Sequence, residues 1–358
     1  MPSPQAPDLP LSIDRVRRLP ARAALAAPPP GRTTTVHTAL LEFPKGADAG
    51  VETRFQKVAD AAAGSLWRLD VRVAGAPARL GRLAPPIEHR AVPRRTGAAA
   101  RGALRLEPFL PEFVGSRPVP KRVRLRRRHS LQRRDGTKLE PLYVFPPDGR
   151  HTYYDLEYPW MCVGQVECNG SISTGALVGP RHVLASSHAL DWNAPWAVFR
   201  AHHFGDYNRA VGHTWCVWYY EKLGAVDSET MDEDYVVCVL DQPIGYDLGW
   251  FGSRTYVDDW DHGLYWAHCG YASDIGLAEF PTYQDGIALQ EEDGGNMKAM
   301  SSITADLTEA HSGGPVFGWW DNGPYIVGVV CGQGQGRNWI SGGTSMVRLI
   351  QDALAQTP

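Results

Sequence analysis

The sequence predicts an all-β fold over residues 151–358, preceded by a basic region over residues 1–150. Three observations predict this class: the apolar runs of the second half are short, Gly and Pro interrupt them often, and aromatic residues are frequent. The exception is residues 344–356, where apolar side chains recur at helical spacing behind Thr344 and predict a terminal amphipathic helix capped by that threonine. We find no internal repeat and no apolar stretch long enough to cross a membrane.

The charge is divided unevenly along the chain. The 358 residues carry a net charge of −3. Residues 1–150 hold 28 Lys and Arg against 13 Asp and Glu, a balance of +15, whereas residues 151–358 hold 8 against 26, a balance of −18. Such an asymmetry bears on association and not on the fold. It predicts that the basic region associates with the acidic half of the same chain.

The strongest basic run, residues 121–134, has several interpretations. It is interpreted as a processing site, a nucleic-acid or nuclear-localisation patch, an arm that lies on the acidic half, or a solvated linker. The adjacent acidic half makes the internal partner the most economical of these, and a nucleic-acid partner is disfavoured.

The rest of the basic region gives weaker signals. Residues 1–33 are rich in Pro, Ala and Arg, which predicts disorder. Residues 34–75 are interpreted as a small β-α-β unit, with a strand at residues 34–43, a helix at 51–63 and a strand at 65–74. A signal peptide is not indicated near the start, because the apolar-leaning stretch there is interrupted by Arg22.

The motif that carries chemistry is Glu-Ala-His-Ser-Gly-Gly-Pro-Val-Phe at residues 309–317. A serine hydroxyl is a poor nucleophile unless a sharp turn holds its backbone and a base reaches it. Glycines after the serine permit such a turn and let a substrate approach closely. Ser312 is therefore a candidate nucleophile, although a bare Ser-Gly-Gly also occurs in ordinary loops.

Two partners for Ser312 precede it in the sequence. Residues 173–188 contain two short β-type runs around a Gly-Pro turn, which predicts a hairpin that delivers His188 among small residues. Asp234 opens an apolar run, residues 234–240, that is typical of a buried strand. An aspartate that is fixed and shielded from water at the start of such a strand can orient an imidazole. The order His, Asp, Ser predicts a triad for acyl transfer.

Other titratable residues compete for these roles. Asp232 and Glu233 adjoin Asp234, but only Asp234 directly precedes the apolar strand. His311 is a second base or, more simply, a loop histidine. His182 lies inside a predicted strand and is interpreted as structural. His202, His203 and His213 suggest a metal site or a solvated loop, and the loop is favoured because no cysteine or carboxylate lies at close zinc spacing. No metal and no organic cofactor is implied.

Together these residues resemble the chymotrypsin-like serine peptidases, and more closely their glutamyl-endopeptidase-like branch. Besides the hairpin ending in His188, the strand opening with Asp234 and the motif Cys269-Gly270-Tyr271, the branch resemblance rests on Tyr158-Pro159-Trp160, which is similar to a mature amino terminus. It covers roughly residues 150–358. It implies a double six-stranded antiparallel β-barrel with a carboxyl-terminal helix, a serine endopeptidase working through an acyl-enzyme on protein or peptide substrates, a pro-segment, and secretion.

The resemblance also implies further site residues. The backbone amides of Ala310 and Ser312 are expected to bind the oxyanion, and the substrate-binding positions are those of Asp306, Val330, Cys331 and Gly332. In the glutamyl branch a histidine occupies the wall position held here by Val330, so Glu specificity is not indicated.

Two departures from the family pattern leave another interpretation open. Ala310 replaces the usual glycine, and His311 replaces the aspartate with which a new amino terminus pairs during trypsin activation. A catalytically silent binding protein on the same fold therefore remains an alternative, as does a nucleic-acid-binding protein that uses residues 121–134.

All six cysteines lie in the second half of the chain, at positions 162, 168, 216, 238, 269 and 331. An even number suits a secreted protein with some disulfides, and the sequence does not choose among the pairings. Cys238, inside a predicted buried strand, equally suits a free core thiol. With Ala189 after His188, the disulfide often found beside the histidine in the family is absent.

Overall fold

The computed structural model describes residues 8–27, 87–94, 103–124, 143–292 and 295–358, together with the backbone of four strands between residues 41 and 80. The described residues up to 27 and from 87 onward belong to one compact unit, which contains every residue of the predicted site. The four strands between residues 41 and 80 belong to a second unit.

The first half of the larger unit is a closed antiparallel barrel. Its strands follow the order β11-β8-β9-β10-β13-β12, and pairing of β11 with β12 closes it. The six strands are β8 (Val163–Cys168), β9 (Ser171–Leu177), β10 (His182–Ala185), β11 (Ala197–Ala201), β12 (Ala210–Tyr219) and β13 (Val236–Leu240). Every residue of β13 is buried, which explains its uninterrupted apolar sequence.

Close packing in this barrel requires glycine at one point where two paired strands approach each other. A Cβ atom on Gly164 in β8 would lie 2.3 Å from the carbonyl oxygen of Arg200 in β11. No side chain fits in that distance, so the sequence places glycine where the two backbones approach.

The second half is a sheet of ten strands, eight on its main path and two beside it. Its main path runs β17-β18-β21-β20-β19-β15-β16-β7, while β14 pairs with both β20 and β6. The strands are β6 (Arg105–Leu106), β7 (His151–Thr152), β14 (Gly252–Arg254), β15 (Trp266–Tyr271), β16 (Pro281–Ile287), β17 (Gln290–Glu291), β18 (Lys298–Ser302), β19 (Pro315–Trp320), β20 (Gly323–Gly334) and β21 (Arg337–Gly342).

The predicted terminal helix is confirmed as α3, Thr344–Gln356, whose buried face includes Val347 and Ile350. The expected threonine cap is wrong, because the N-cap residue is Gly343 and Thr344 is the first helical residue. The other helices are short: α1 (Ile13–Arg18), α2 (Gly245–Leu248), and the 3-10 turns Trp160–Cys162, Asp258–Trp260 and Gly276–Ala278. No helix in the described ranges is long and apolar enough to cross a membrane.

Disorder over residues 1–33 is wrong for residues 8–27. Helix α1 begins after Ser12, whose hydroxyl accepts a hydrogen bond from the N–H of Arg15 at 3.4 Å. Ile13 and Val16, three residues apart on one face, are buried in the main core. The Pro, Ala and Arg content concealed this short amphipathic turn, because composition averages over the few apolar residues that pack.

The helix expected at residues 51–63 is also wrong. Strand β2 (Gly50–Ala61) pairs antiparallel with β3 (Gly64–Ala74), so only the strand predicted at residues 65–74 is confirmed. The alternation of Val51, Thr53 and Phe55 with polar residues has the period of a strand, which the helical interpretation overlooked. Of the strand expected at residues 34–43, the structure describes β1 (Leu41–Glu42), which pairs with β4 (Arg79–Leu80); residues 34–40 lie outside the described ranges.

Parts of the basic region are built into both sheets. Strand β5 (Glu88–Ala91) pairs in parallel with β12, and β6 pairs with β14. The N–H of Leu11 donates to the carbonyl of Trp319 at 2.7 Å. The functional boundary at residue 150 stays a prediction, and most of the basic run, residues 125–134, lies outside the described residues.

Burial of α1 leads to a stability prediction. Val16→Ala should lower the free energy of unfolding by about 2 kcal/mol, because two buried methyl groups are lost and a cavity remains. Chemical denaturation of the full chain measures this. The control Arg18→Ala, exposed on the same helix, should change stability by less than about 0.5 kcal/mol. Equal effects of the two variants would contradict docking of α1 on the core.

Candidate active site

The β9–β10 hairpin positions His188. The turn between the strands is closed by a hydrogen bond from the N–H of Val178 to the carbonyl of His182 at 2.8 Å. Strand β10 ends at Ala185, and the chain then turns so that the N–H of His188 donates to Asp234 Oδ1 at 2.8 Å. The hairpin expected from the sequence thus brings His188 to the start of β13.

Asp234 fixes the orientation of this histidine. Its side chain is 0% exposed, and its Oδ2 lies 2.6 Å from His188 Nδ1. With one oxygen on the backbone N–H and the other on the ring, the carboxylate holds the imidazole at two points. A proton on Nδ1 is donated to the carboxylate, so Nε2 is left as the acceptor.

Ser312 completes the arrangement from the second sheet. Its Oγ lies 2.9 Å from His188 Nε2. The next residue, Gly313, has φ +78°, and a Cβ atom there would lie 2.4 Å from the carbonyl oxygen of Thr174. Glycine is therefore required by both the backbone conformation and the space. The structure brings His188, Asp234 and Ser312 together at hydrogen-bond distances.

Two backbone amides beside Ser312 are free to bind a ligand. The carbonyl of Glu309 accepts from the N–H of Ser273 at 3.0 Å, so the N–H of Ala310, across the same trans peptide, points the opposite way. In the described part of the chain the N–H groups of Ala310 and Ser312 have no acceptor. Thr174, not singled out from the sequence, holds this loop through a hydrogen bond from its hydroxyl to the carbonyl of Ala310 at 2.7 Å.

His311 is a buried anchor and not an exposed loop residue. Its Nδ1 accepts from the N–H of Thr308 at 3.1 Å, and its Nε2 lies 2.9 Å from the hydroxyl of Thr282. Because Nδ1 is the acceptor, Nε2 carries the proton and donates it to that hydroxyl, which in turn donates to the carbonyl of Gly270 at 3.0 Å. Complete burial holds the pKa of His311 well below its usual range, so the ring is neutral.

The four expected substrate-binding residues divide into two groups. Cys331 and Gly332 line the cleft at Ser312. Val330 is buried in the core, and the carboxylate of Asp306 is occupied by the N–H groups of Phe145 and Gly149, both at 2.7 Å, and by the amide of Gln284 at 3.0 Å. The structure therefore places Asp306 as an anchor for the segment that leads into β7 and not in the cleft wall.

The cleft itself has a volume of about 410 Å³, and both the histidine and the serine of the predicted triad line it. Its lining includes His188, Ser312, Ala310, Glu309 and the exposed Ser171. None of the described residues before 150 lines it. The part of the basic region that the structure describes thus leaves this cleft uncovered.

The expected disulfides are wrong. All six cysteines are described, and all are free and buried. Three of them share the first barrel and the other three lie elsewhere in the core, so an even count reflected packing and not pairing. Burial raises the pKa of the Cys238 thiol to about 12, which keeps it protonated and unreactive.

The solvated loop expected around the paired histidines is also wrong. His202 is buried against Tyr154, with ring centroids 5.2 Å apart. His203 lies 2.7 Å from Asn208 Oδ1 and 2.8 Å from Glu279 Oε2. Tyr154 and Glu279 are distant from the two histidines in sequence, so the local pattern did not indicate their burial.

Two further histidines have separate environments. His213 lies 3.8 Å from the carboxylate of Asp241. His182, expected to be structural, is buried with its Nε2 3.2 Å from Thr357 Oγ1. The described residues contain no group of three or more potential metal ligands.

Comparisons with known proteins match the fold. No protein-family model matches the chain, and no curated protein matches it significantly. A solved Glu endopeptidase in complex with MPD is 19% identical with a TM-score of 0.50, covering 60% of this chain and 100% of that one. Protease Anisep from Arthrobacter nicotinovorans is 17% identical (TM-score 0.44; 56% and 98% covered), and human heparin binding protein 14% (0.45; 59% and 97%).

The chain therefore has the chymotrypsin-like serine protease fold, as the sequence resemblance implied. The closed first barrel, the second sheet and the terminal helix agree with this architecture. At this level of identity the likeness is one of fold.

The backbone of Ala310 leads to a second prediction. Its φ of +68° lies in the left-handed region, which costs an L residue about 1 kcal/mol relative to glycine. Ala310→Gly should therefore leave the protein as stable as the wild type or more stable by up to about 1 kcal/mol. The control Ala305→Gly, at an ordinary φ, should destabilise it by at least about 0.5 kcal/mol. Thermal unfolding of both variants decides, and destabilisation by Ala310→Gly would contradict the strain.

Buried histidines predict a pH dependence of stability. Burial lowers the pKa of His151, His182, His202 and His268 to about 4. An unfolded histidine titrates near 6.5, so between pH 6.5 and 4 the unfolded state binds more protons than the folded state. The contribution of these four histidines to the free energy of unfolding is therefore fully present above about pH 6.5, and it should decrease as the pH is lowered towards 4.

A variant at His182 measures the contribution of one histidine to this pH dependence. His182→Gln should reduce the slope of unfolding free energy against pH, between pH 4 and 6.5, by about 1.4 kcal/mol per pH unit. His262→Asn, at an exposed histidine, should leave the slope unchanged. Urea unfolding at a series of pH values gives both slopes, and an unchanged slope in the first variant would show that His182 titrates normally.

Proposed function

We propose that this protein is a serine endopeptidase that uses Ser312, His188 and Asp234. The observation that carries the proposal is the pair of contacts on one imidazole, 2.9 Å from Nε2 to Ser312 Oγ and 2.6 Å from Nδ1 to Asp234 Oδ2. A hydroxyl, a base and an orienting carboxylate in this sequence of contacts are what acyl transfer by an activated serine needs. The protease fold supports the same reaction class.

In the proposed reaction Ser312 Oγ attacks the carbonyl carbon of the scissile peptide bond. His188 Nε2 accepts the hydroxyl proton as the new C–O bond forms, and then donates it to the leaving amine as the C–N bond breaks. The product of this half is an acyl-enzyme on Ser312. Water, deprotonated by the same nitrogen, then attacks the ester carbonyl and releases the acid.

The negative charge that develops on the substrate oxygen has its partners in the free amides of Ala310 and Ser312. One such donor contributes about 3 kcal/mol of transition-state stabilisation. Ala310 and Ser312 both line the cleft, and Thr174 holds the carbonyl of Ala310 through a hydrogen bond from its hydroxyl. This geometry favours an enzyme over a silent binding protein, the alternative that the Ala310 and His311 replacements raised.

The substrates proposed are proteins or peptides with an extended segment that enters the cleft. Asp306 does not select a cationic side chain in this proposal, because its carboxylate is already bonded within the protein. Extracellular location stays a prediction. The disulfides that favoured it are not formed. The proposal does not include inhibition by the basic region, whose described residues lie outside the cleft.

Replacement of the nucleophile tests the proposal. Ser312→Ala should lower kcat for hydrolysis of unfolded casein by several orders of magnitude, leaving only binding and oxyanion contributions. A fluorophosphonate probe should label the wild type at Ser312 and should not label the variant. The measurements are fluorescence of released peptides and mass spectrometry of the labelled chain.

Ser228→Ala provides the matched control, because Ser228 is an exposed serine that does not line the cleft. It should retain casein hydrolysis and labelling within about threefold of the wild type. A wild-type protein that is folded but neither hydrolyses casein nor reacts with the probe would reject the endopeptidase and favour the silent binding protein.

A further inference from the structure

Residues 87–94, part of the basic region, extend the first barrel beside the predicted triad. Strand β5 pairs in parallel with the final part of β12, from Glu88 opposite Cys216 to Ala91 opposite Tyr219. The ladder continues with a hydrogen bond from the N–H of Val92 to the carbonyl of Tyr219 at 2.8 Å. This segment therefore ends where β12 passes into the loop of residues 220–235, called here the acidic loop.

The acidic loop contacts the residue before His188 and contains Asp234. The hydroxyl of Ser187 donates to the carbonyl of Glu221 at 2.8 Å and accepts from the N–H of Leu223 at 3.0 Å. At its other end the loop contains Asp234 itself. A shift of this loop would therefore move the backbone on either side of the His188–Asp234 contact.

Arg94 ties the two ends of the acidic loop together. Its guanidinium donates to Glu221 Oε1 at 3.1 Å and to Glu233 Oε2, and Glu233 is the residue before Asp234. The Glu233 side chain is only 7% exposed. A carboxylate in that position needs a cation, because breaking a buried pair leaves an uncompensated charge. Burial raises the pKa of Glu233, and Arg94 opposes that shift.

A second set of contacts joins the segment to the loop after His188. Lys222 Nζ donates to His89 Nδ1 at 2.9 Å, and the His89 ring meets Trp192 edge to face with centroids 5.3 Å apart. The indole N–H of Trp192 donates to the carbonyl of Leu223 at 3.1 Å. The segment thus contacts both the loop after His188 and the loop before Asp234.

We propose that residues 87–94 are a built-in activating brace and that Arg94 is a positioning residue for the His188–Asp234 pair. The uncut chain is then competent, and the basic region contributes to activity instead of inhibiting it. This inference rests on the proposed endopeptidase function. It reverses the expectation that the basic region acts only as a removable pro-segment.

The test measures inactivation of the full-length chain by a fluorophosphonate probe, with intact mass confirming that the chain is uncut. Arg94→Ala should lower the maximal inactivation rate, kinact, by about tenfold to a hundredfold, because small misplacements of reacting groups are costly. The probe concentration for half-maximal rate should change by less than about twofold, since Arg94 does not line the cleft. A purely structural role would not separate these two constants.

Arg90→Ala is the matched control. Arg90 lies on strand β5, pairs with Glu88 at 2.7 Å and lies 5.2 Å from the Trp218 ring. Its replacement therefore removes one positive charge and leaves the contacts of Arg94 with the acidic loop in place. This variant should keep kinact within about twofold of the wild type. A kinact in Arg94→Ala equal to that of Arg90→Ala, or higher than the wild type, would overturn the brace.

A charge exchange separates positioning from misfolding. The double variant Arg94→Glu with Glu233→Arg restores an opposite pair at the same place and should recover at least about tenfold of the kinact that Arg94→Glu alone loses. Failure of that rescue, with both variants folded by thermal unfolding, would overturn the role of the pair. Wild-type protein that reacts with no probe would instead reject the proposed function and the brace together.

Discussion

The candidate site depends on one buried carboxylate. Asp234 accepts a hydrogen bond from the backbone N–H of His188 and lies within hydrogen-bond distance of its ring, so the same group fixes both the position and the rotation of the imidazole. An ionised carboxylate removed from water costs several kcal/mol unless such partners are in place. The buried strand β13 and the turn after β10 supply that dry, bonded environment, and the Ser312 contact follows from it.

The second constraint is the close approach of the two sheets at the nucleophile. Strand β9 of the first barrel supplies Thr174, whose N–H donates to the carbonyl of Ser312 at 2.9 Å and whose hydroxyl holds Ala310. Gly313 is the residue that makes room for this contact. The serine loop is therefore held by the opposite half of the fold, while His311 anchors it from within the second sheet.

The basic region takes part in the fold because β12 is longer than its partner β11. Beyond residue 213 the edge of β12 is free of β11, and β5 pairs with residues 216–219 of that edge. An uncovered edge exposes unpaired amides and carbonyls, so the added strand satisfies them. The +15 and −18 charges of the two halves meet here in specific pairs, such as Arg94 with Glu233.

The sequence by itself determined what short-range patterns encode: the β class, the terminal helix, the hairpin before His188, and the residues proposed for the triad. Each follows from periodicity, glycine placement or the environment of a strand end. Only the tertiary structure decided the free cysteines, the buried role of Asp306, the anchoring of His311, and the docking of residues 8–27 and 87–94. Asp306 and the two docked segments depend on partners more than a hundred residues away, and His311 depends on Thr282 in a strand of the second sheet. The free energy of burial is set by such partners and not by immediate neighbours in sequence.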